Sequence, residues 1–203
     1  MYSIDKLIIV AGLSRSGKTT LINKLNNNEV NTLCEKLDLD PISSYQFCYA
    51  VKLKLLNQNI DKLIVHYDVL ARFSNENGFD NLHELMKNSN DIKIITVCAT
   101  EDILIKRSTL SVYKLLDELS KVKNITPYDQ HLPLINKLKN RITIQTIYQK
   151  TESIPQLYEN WFATLKQYHA YKHWLLDSQK PNQPVNCPET MADIWSFIKA
   201  TSD

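Results

Sequence analysis

The sequence predicts an α/β fold: a three-layer α/β/α sandwich built on an open, mainly parallel sheet. Three observations carry this. Apolar segments of strand length alternate with amphipathic helical ones, the pattern that crossover connections produce when helices cover both faces of a parallel sheet. Leu7 to Val10, Lys62 to His66 and Ile92 to Cys98 are nearly continuous in apolar residues, as strands buried on both faces are. Between the first strand and the first helix runs a loop bounded by two glycines, Gly12 and Gly17.

The 203 residues suit a single α/β domain spanning 1–203, and no repeat or linker divides them. With 43% hydrophobic and 23% charged residues the composition is that of a globular protein. A net charge of +2 demands no polyanionic partner, so no nucleic-acid partner is expected. No apolar run approaches a membrane span, and the N-terminus MYSIDKLIIV enters a strand without a signal-peptide pattern, so no membrane association and a cytoplasmic location are expected. Cys34, Cys48, Cys98 and Cys187 lie far apart, in neither a C-x-x-C nor a Cys/His ligand spacing, and read as reduced, mostly buried thiols.

The informative stretch is Lys6 to Leu25, KLIIVAGLSRSGKTTLINKL. Gly12, Gly17, Lys18 and Thr19 fill the fixed positions of G-x-x-x-x-G-K-[ST], with a strand before them and a helix after. The chain has 3 glycines and two are in this loop, so the motif is no by-product of a glycine-rich composition. Its chemistry explains the residue types. A polyphosphate is best held by several backbone N–H groups lining one concavity, which needs glycine where the chain turns tightly. The helix start adds N–H groups without internal partners and with partial positive charge. Gly12, Leu13, Ser14, Arg15, Ser16, Gly17, Lys18, Thr19 and Thr20 are therefore the expected nucleotide-binding residues. Lys18 is expected to reach the β- and γ-phosphates, and the Thr19 hydroxyl to bind Mg²⁺.

This stretch resembles the P-loop NTPase superfamily. The wording GLSRSGKTT is similar to the loops of small-molecule and nucleoside kinases, including the adenylylsulfate-kinase type, and the specific resemblance covers the first 25 residues. It implies a P-loop kinase-like sandwich, ATP and Mg²⁺ as cofactors, and a small-molecule acceptor.

Beyond the first helix, Asn26 to Asn28 mark its end. Glu29 to Pro41 reads as irregular and acidic, with a short strand near Leu33; Glu35, Asp38 and Asp40 are either substrate contacts, as the kinase resemblance implies, or solvated loop charges. Ser43 and Ser44 cap a predicted helix from Tyr45 to about Gln58, with Cys48, Val51 and Leu55 on one face. The second strand ends in His66-Tyr67-Asp68. Phosphate-loop enzymes commonly place a carboxylate at the carboxyl end of a neighbouring parallel strand, on Mg²⁺ through water or as base for the attacking hydroxyl. Asp68 has that address, and it can also cap the following segment Val69 to Phe73. Alternation turns His66 to the same side as Asp68, where it reads as a satisfied core histidine. Arg72, four residues on, can pair with Asp68 or face an anionic ligand.

Asn75 to Asp80 reads as a turn, Asn81 to Asn88 as a helix and Ile92 to Cys98 as the third strand. In Ala99 to Arg107, ATEDILIKR, Glu101 and Asp102 occupy a helix start, where negative charge suits the dipole. This arrangement resembles the approach to the lid of small-molecule kinases, which implies a lid-like helical segment at about 107–130 and makes Arg107 the candidate to reach the transferring phosphoryl group. Ser108 to Lys123 continues as a helix, and Thr126-Pro127 starts another, Tyr128 to Lys139. ITIQTIY, Ile142 to Tyr148, alternates and reads as a strand. Lys137, Lys139 and Arg141 read as a solvated basic face. C-terminal helices are predicted over 154–176, opened by Ser153 and Pro155, and over 189–199, with Gln179 to Pro188 connecting them. The aromatic residues of the first (Trp161, Phe162, Tyr168, Tyr171, Trp174) read as packing at helical spacing rather than as a base-stacking platform.

The expected function is ATP-dependent phosphoryl transfer to a small hydroxyl-bearing acceptor, with Lys18, Asp68 and Arg107 as the catalytic set and Thr19 and Asp68 on the metal. Two rivals stand beside it. Ser14-Arg15-Ser16-Gly17 also resembles the phosphosulfate-binding loop of bacterial sulfotransferases, although that family usually places its loop lysine or arginine earlier and often has a hydroxyl residue where Lys18 stands. A non-catalytic nucleotide-binding regulator is the other. A GTPase is disfavoured, because Asn136-Lys137-Leu138-Lys139 lacks the carboxylate that reads guanine and Ala71 occupies the glycine position of D-x-x-G.

Overall fold

The computed structural model describes residues 3–26, 31–40, 44–49, 59–70, 78–121, 128–150, 152–180 and 183–200. They form two compact units, one from 1–99 with 157–203 and one from 100–156.

The first unit holds a six-stranded sheet in the order β2-β3-β1-β4-β5-β6. Its strands are β1 (Ile4–Gly12), β2 (Gln46–Tyr49), β3 (Ile60–Asp68), β4 (Ser89–Cys98), β5 (Tyr171–Asp177) and β6 (Val185–Asn186). The first five are mutually parallel, and β6 runs antiparallel to β5. The continuous apolar runs follow from this position: Leu7 to Ala11, Leu63 to Val65 and Ile94 to Cys98 are all buried, because helices cover both faces.

On one face Ile8, Val10, Ile64, Ile95, Val97, Trp174 and Leu176 meet Leu21, Ile22 and Leu25 of α1 (Lys18–Asn26) and Leu33 of α2 (Asn31–Lys36). Each of the three α1 side chains contributes about 1.5–3 kcal/mol of burial, which pins the start of α1 against the carboxyl ends of the strands. The other face receives α6 (Ser153–Leu165) from Leu157 onward. Trp161 stacks on Tyr67 at 5.3 Å between ring centroids, and its indole N–H donates to Thr96 Oγ1 at 3.0 Å. Thr96 Oγ1 also lies 2.8 Å from His173 Nε2. The Tyr158 hydroxyl donates to the Ala99 carbonyl and accepts from the Ala99 N–H, both at 3.0 Å. Helices α3 (Gly78–Lys87) and α7 (Met191–Ala200) complete the unit.

The second unit is a helical pair, α4 (Glu101–Ser120) and α5 (Tyr128–Tyr148), with the first turn of α6. Arg141 donates to the Ser111 carbonyl at 2.7 Å and Gln145 Nε2 to Thr109 Oγ1 at 3.1 Å, fixing α5 along α4. Arg141 is thus a helix-pairing residue rather than part of a solvated basic face.

Four sequence expectations are corrected. Ile142 to Tyr148 is the last part of helix α5 rather than a strand. Its β-branched residues favour a strand weakly, and the side-chain bonds to α4 outweigh that preference. The helix expected over 154–176 stops at Leu165; Ala170 takes a left-handed turn at φ 64°, and Tyr171 to Asp177 pairs with β4. Tyr45 to Tyr49 is no helix, because Gln46 to Tyr49 pairs with Leu63 to His66, and 50–58 lie outside the described residues. The stretch around Leu33 is helical and not a strand. Arg72, Ala71 and the Thr126-Pro127 cap lie outside the described residues. Cys98 is buried, and Cys34, Cys48 and Cys187 are half-buried free thiols. Among the described residues no helix is long and apolar enough to cross a membrane.

Candidate functional site

After β1 the chain builds β2 and β3 on one side of that strand, then crosses to β4 on the other. The reversal opens a crevice at the carboxyl end of β1, where open parallel sheets bind ligands. The loop from Gly12 to Gly17 occupies this place. Gly12 has φ 152°, and a Cβ there would lie 2.6 Å from both Ser16 Oγ and the Val97 carbonyl oxygen. No side chain fits, so glycine is required by contact as well as by backbone angle. Arg15 at φ 70° and Gly17 at φ 109° also turn through the left-handed region. Such turns bring successive N–H groups to one side. The first helical bond runs from the Leu21 N–H to the Gly17 carbonyl at 3.0 Å, so the amides ahead of it project from the positive end of α1.

Lys18 is 3% exposed. Its ammonium donates to the carbonyls of Gly12 at 3.0 Å and Leu13 at 2.8 Å, and lies 3.5 Å from Asp68 Oδ2. Burial pushes its pKa down, and the Asp68 carboxylate opposes that shift.

Register places Asp68 level with Gly12 across the β1–β3 pair. The two carboxylate oxygens have different partners. Oδ1 accepts the Leu70 N–H at 3.0 Å, a capping bond, while Oδ2 accepts the Ser14 hydroxyl at 2.6 Å and faces Lys18. Asp68 is therefore a cap with one oxygen and a loop partner with the other. His66 also faces the loop: its Nε2 is 3.4 Å from Thr19 Oγ1, and its ring is 5.1 Å from that of Tyr49. Burial first, and the Lys18 charge second, hold its pKa down at about 4, so it is neutral at pH 7.

The structure thus gathers Gly12, Ser14, Lys18, Thr19, His66 and Asp68 at one sheet end. Arg107 lies half-buried on α4 in the second unit. The acidic stretch is elsewhere. Asp40 pairs with Lys6 at 2.7 Å and Lys62 at 3.3 Å, and Asp38 with Lys93 and Lys172 at 3.3 Å each. Lys6 is six residues before Gly12 on β1, about 20 Å down the strand, so Asp38 and Asp40 are structural partners and not acceptor contacts.

Sequence reasoning missed Phe47 and Tyr49, which it placed on a helix. The signal was present: Tyr45, Phe47 and Tyr49 alternate as aromatic residues in a half-buried strand do. Among the described residues no group of three or more His, Cys, Asp or Glu side chains is arranged to hold a metal ion by itself.

No family model matches the chain, and no curated protein matches it.

Proposed function

We propose that the protein transfers a phosphoryl group from ATP to a hydroxyl of a small acceptor, on a P-loop kinase-like fold. One observation carries this reading: a buried Lys18 ammonium is held by the carbonyls of its own loop and lies 3.5 Å from Asp68 at the end of the neighbouring parallel strand. A buried ammonium is expensive unless charge compensates it, and a polyphosphate in the loop would supply that charge. The Gly12 cradle and the left-handed turns at Arg15 and Gly17 fit backbone recognition of phosphate oxygens.

The donor set suits a hard divalent cation: the Thr19 hydroxyl and the Asp68 carboxylate would hold Mg²⁺. When bound, the ion would neutralise negative charge on the phosphates. The chain's own residues do the rest. Loop amides orient the triphosphate, and Lys18 stabilises charge developing on the transferring group. Asp68 Oδ2 is the candidate to take the proton of the acceptor hydroxyl. Lys18 also favours this reading over sulfuryl transfer.

The test is calorimetry with ATP·Mg²⁺, ADP·Mg²⁺ and 3′-phosphoadenosine 5′-phosphate, followed by an ATP-consumption screen over hydroxyl-bearing compounds. Binding of ATP and ADP with acceptor-dependent consumption is expected. Tight binding of the bisphosphate alone would transfer the assignment to a sulfotransferase, and ATP binding without consumption of any acceptor to a regulator.

A further inference from the structure

We propose that the acceptor is built on a flat aromatic ring, held by Tyr49 and Phe47 of β2 beside His66 of β3; this rests on the phosphotransferase reading above.

Strand β2 is the edge of the sheet, and edges are normally blunted with charge or proline. Here the edge carries two aromatic side chains in the open, Phe47 at 46% and Tyr49 at 40% exposure. Register sets Phe47 level with Ile64 and Tyr49 level with His66, and alternation turns both to the face shared by His66 and Asp68. Their rings meet edge to face, with centroids 4.9 Å apart and planes at 76°. Tyr49 then meets His66 at 5.1 Å and 57°.

This strip is continuous with the phosphate loop, because His66 Nε2 lies 3.4 Å from Thr19 Oγ1. Tyr49 closes the described part of β2 at the carboxyl end of the sheet, the end where the loop lies. From strand spacing and rise, the Cα atoms of Tyr49 and Asp68 are about 8 Å apart along the diagonal. A ring packed on Tyr49 thus reaches Asp68 with a hydroxyl on an arm of a few bonds. The His66 imidazole, 5.1 Å from the Tyr49 ring, adds a third flat surface. A sugar or polyol, all hydroxyl and no face, would leave these three rings uncovered.

The test pairs matched probes: uridine and 4-pyridinemethanol against ribose, myo-inositol and the cationic aminocyclitol kanamycin. ATP consumption and saturation-transfer NMR are recorded for each. Ring-bearing probes are expected to show transfer from the protein and to stimulate consumption. Tyr49→Ala is expected to raise the acceptor KM about tenfold, the scale of losing one stacking platform, with kcat and ATP affinity within twofold. Tyr49→Phe should restore KM, and Phe47→Ala should have a smaller effect in the same direction. Equal or better stimulation by ribose, inositol or kanamycin overturns the proposal, as does an unchanged KM in both alanine variants. So does a change of sedimentation coefficient in Tyr49→Ala with KM unmoved, which would make the strip an interface between copies. Absence of any ATP·Mg²⁺ binding fails the phosphotransferase reading itself, whereas intact ATP binding with no ring-compound transfer fails this inference alone.

Discussion

Two regions of the first unit bring lysine and aspartate together, at opposite ends of the sheet, and they differ in almost everything else. At the amino end, Lys6 and Lys62 share Asp40, and Lys93 and Lys172 share Asp38, with Asp38 and Lys172 largely in solvent. Hydrogen bonds from the lysines hold the Asp38 and Asp40 carboxyls below their ordinary range, and the bond to Asp40 raises Lys6. The pairs of Asp40 with Lys6 and Lys62 and of Asp38 with Lys172 are of the ordinary surface kind, worth little because water competes for both partners, whereas Lys93 is buried and reaches a carboxylate that stays in solvent. At the carboxyl end Lys18 is buried, and burial disfavours its charge. The same two residue types serve as surface fasteners in one place and as a costly, compensated charge in the other. Solvent access makes most of the difference: Lys18 is buried against its own loop and the half-buried Asp68, whereas Lys93, also buried, reaches out to an exposed Asp38.

The sharpest way to break this contrast is a matched pair of substitutions. Lys18→Met is expected to lower turnover about a thousandfold, the upper scale for losing one preorganised charge-stabilising donor, while Lys6→Met leaves turnover unchanged. Equal turnover in the two variants, measured with an acceptor from the screen, would remove the functional distinction between the regions.

Asp68→Asn comes next. Asparagine Oδ1 can still accept the Leu70 N–H, but the change removes the carboxylate that faces the buried Lys18 and accepts from Ser14, so stability should fall by about 1–3 kcal/mol, while turnover falls about a hundredfold if Oδ2 takes the proton. A folded Asp68→Asn protein with full activity would reduce this carboxylate to a cap.

The burial rule extends to histidine. Burial lowers His173 from its ordinary 6.5 to about 3, and burial with the Lys18 charge lowers His66 to about 4. The unfolded chain takes up these protons below pH 6.5 and the folded one does not, so stability rises with pH from about 4 to 6.5 and is lost as pH falls through that window. For His173 the loss between pH 7 and 5 is about 2 kcal/mol, or roughly thirtyfold in the folding equilibrium. Urea midpoints at the two pH values, compared between the parent and His173→Gln, test this: the variant should show a flatter dependence, and an identical slope would mean that His173 protonates in place.

The smallest effect belongs to the amino end. Asp40→Asn should leave turnover unchanged and shift the thermal midpoint slightly at low salt. In 1 M salt, where the screening length is about 3 Å, the shift should vanish. A large, salt-insensitive loss of stability would show that the surface pairs are as consequential as the buried one.

The sequence by itself determined whatever depends on neighbours in the chain. Gly12 and Gly17 were legible as the turning points between strand and helix because positive-φ backbone and close approach need glycine at fixed places. β1, β3 and β4 were legible because strands buried on both faces are apolar throughout. Asp68 was placed at a strand end by counting, and Glu101 and Asp102 at a helix start by charge. Tertiary structure decided the rest, where local preference is weak and long-range partners choose. ITIQTIY alternates like a strand yet is helical, because Arg141 and Gln145 bind α4. Tyr171 to Asp177 carries helix-forming residues yet pairs with Ile92 to Cys98. Gln46 to Tyr49 became the sheet edge through register with β3. Neither the division of Asp68 between a backbone N–H and the loop nor the approach of His66 to Thr19 can be read from spacing. Those distances are set by how β1 and β3 lie side by side, and hydrogen bonds between residues some fifty positions apart leave no trace in local sequence.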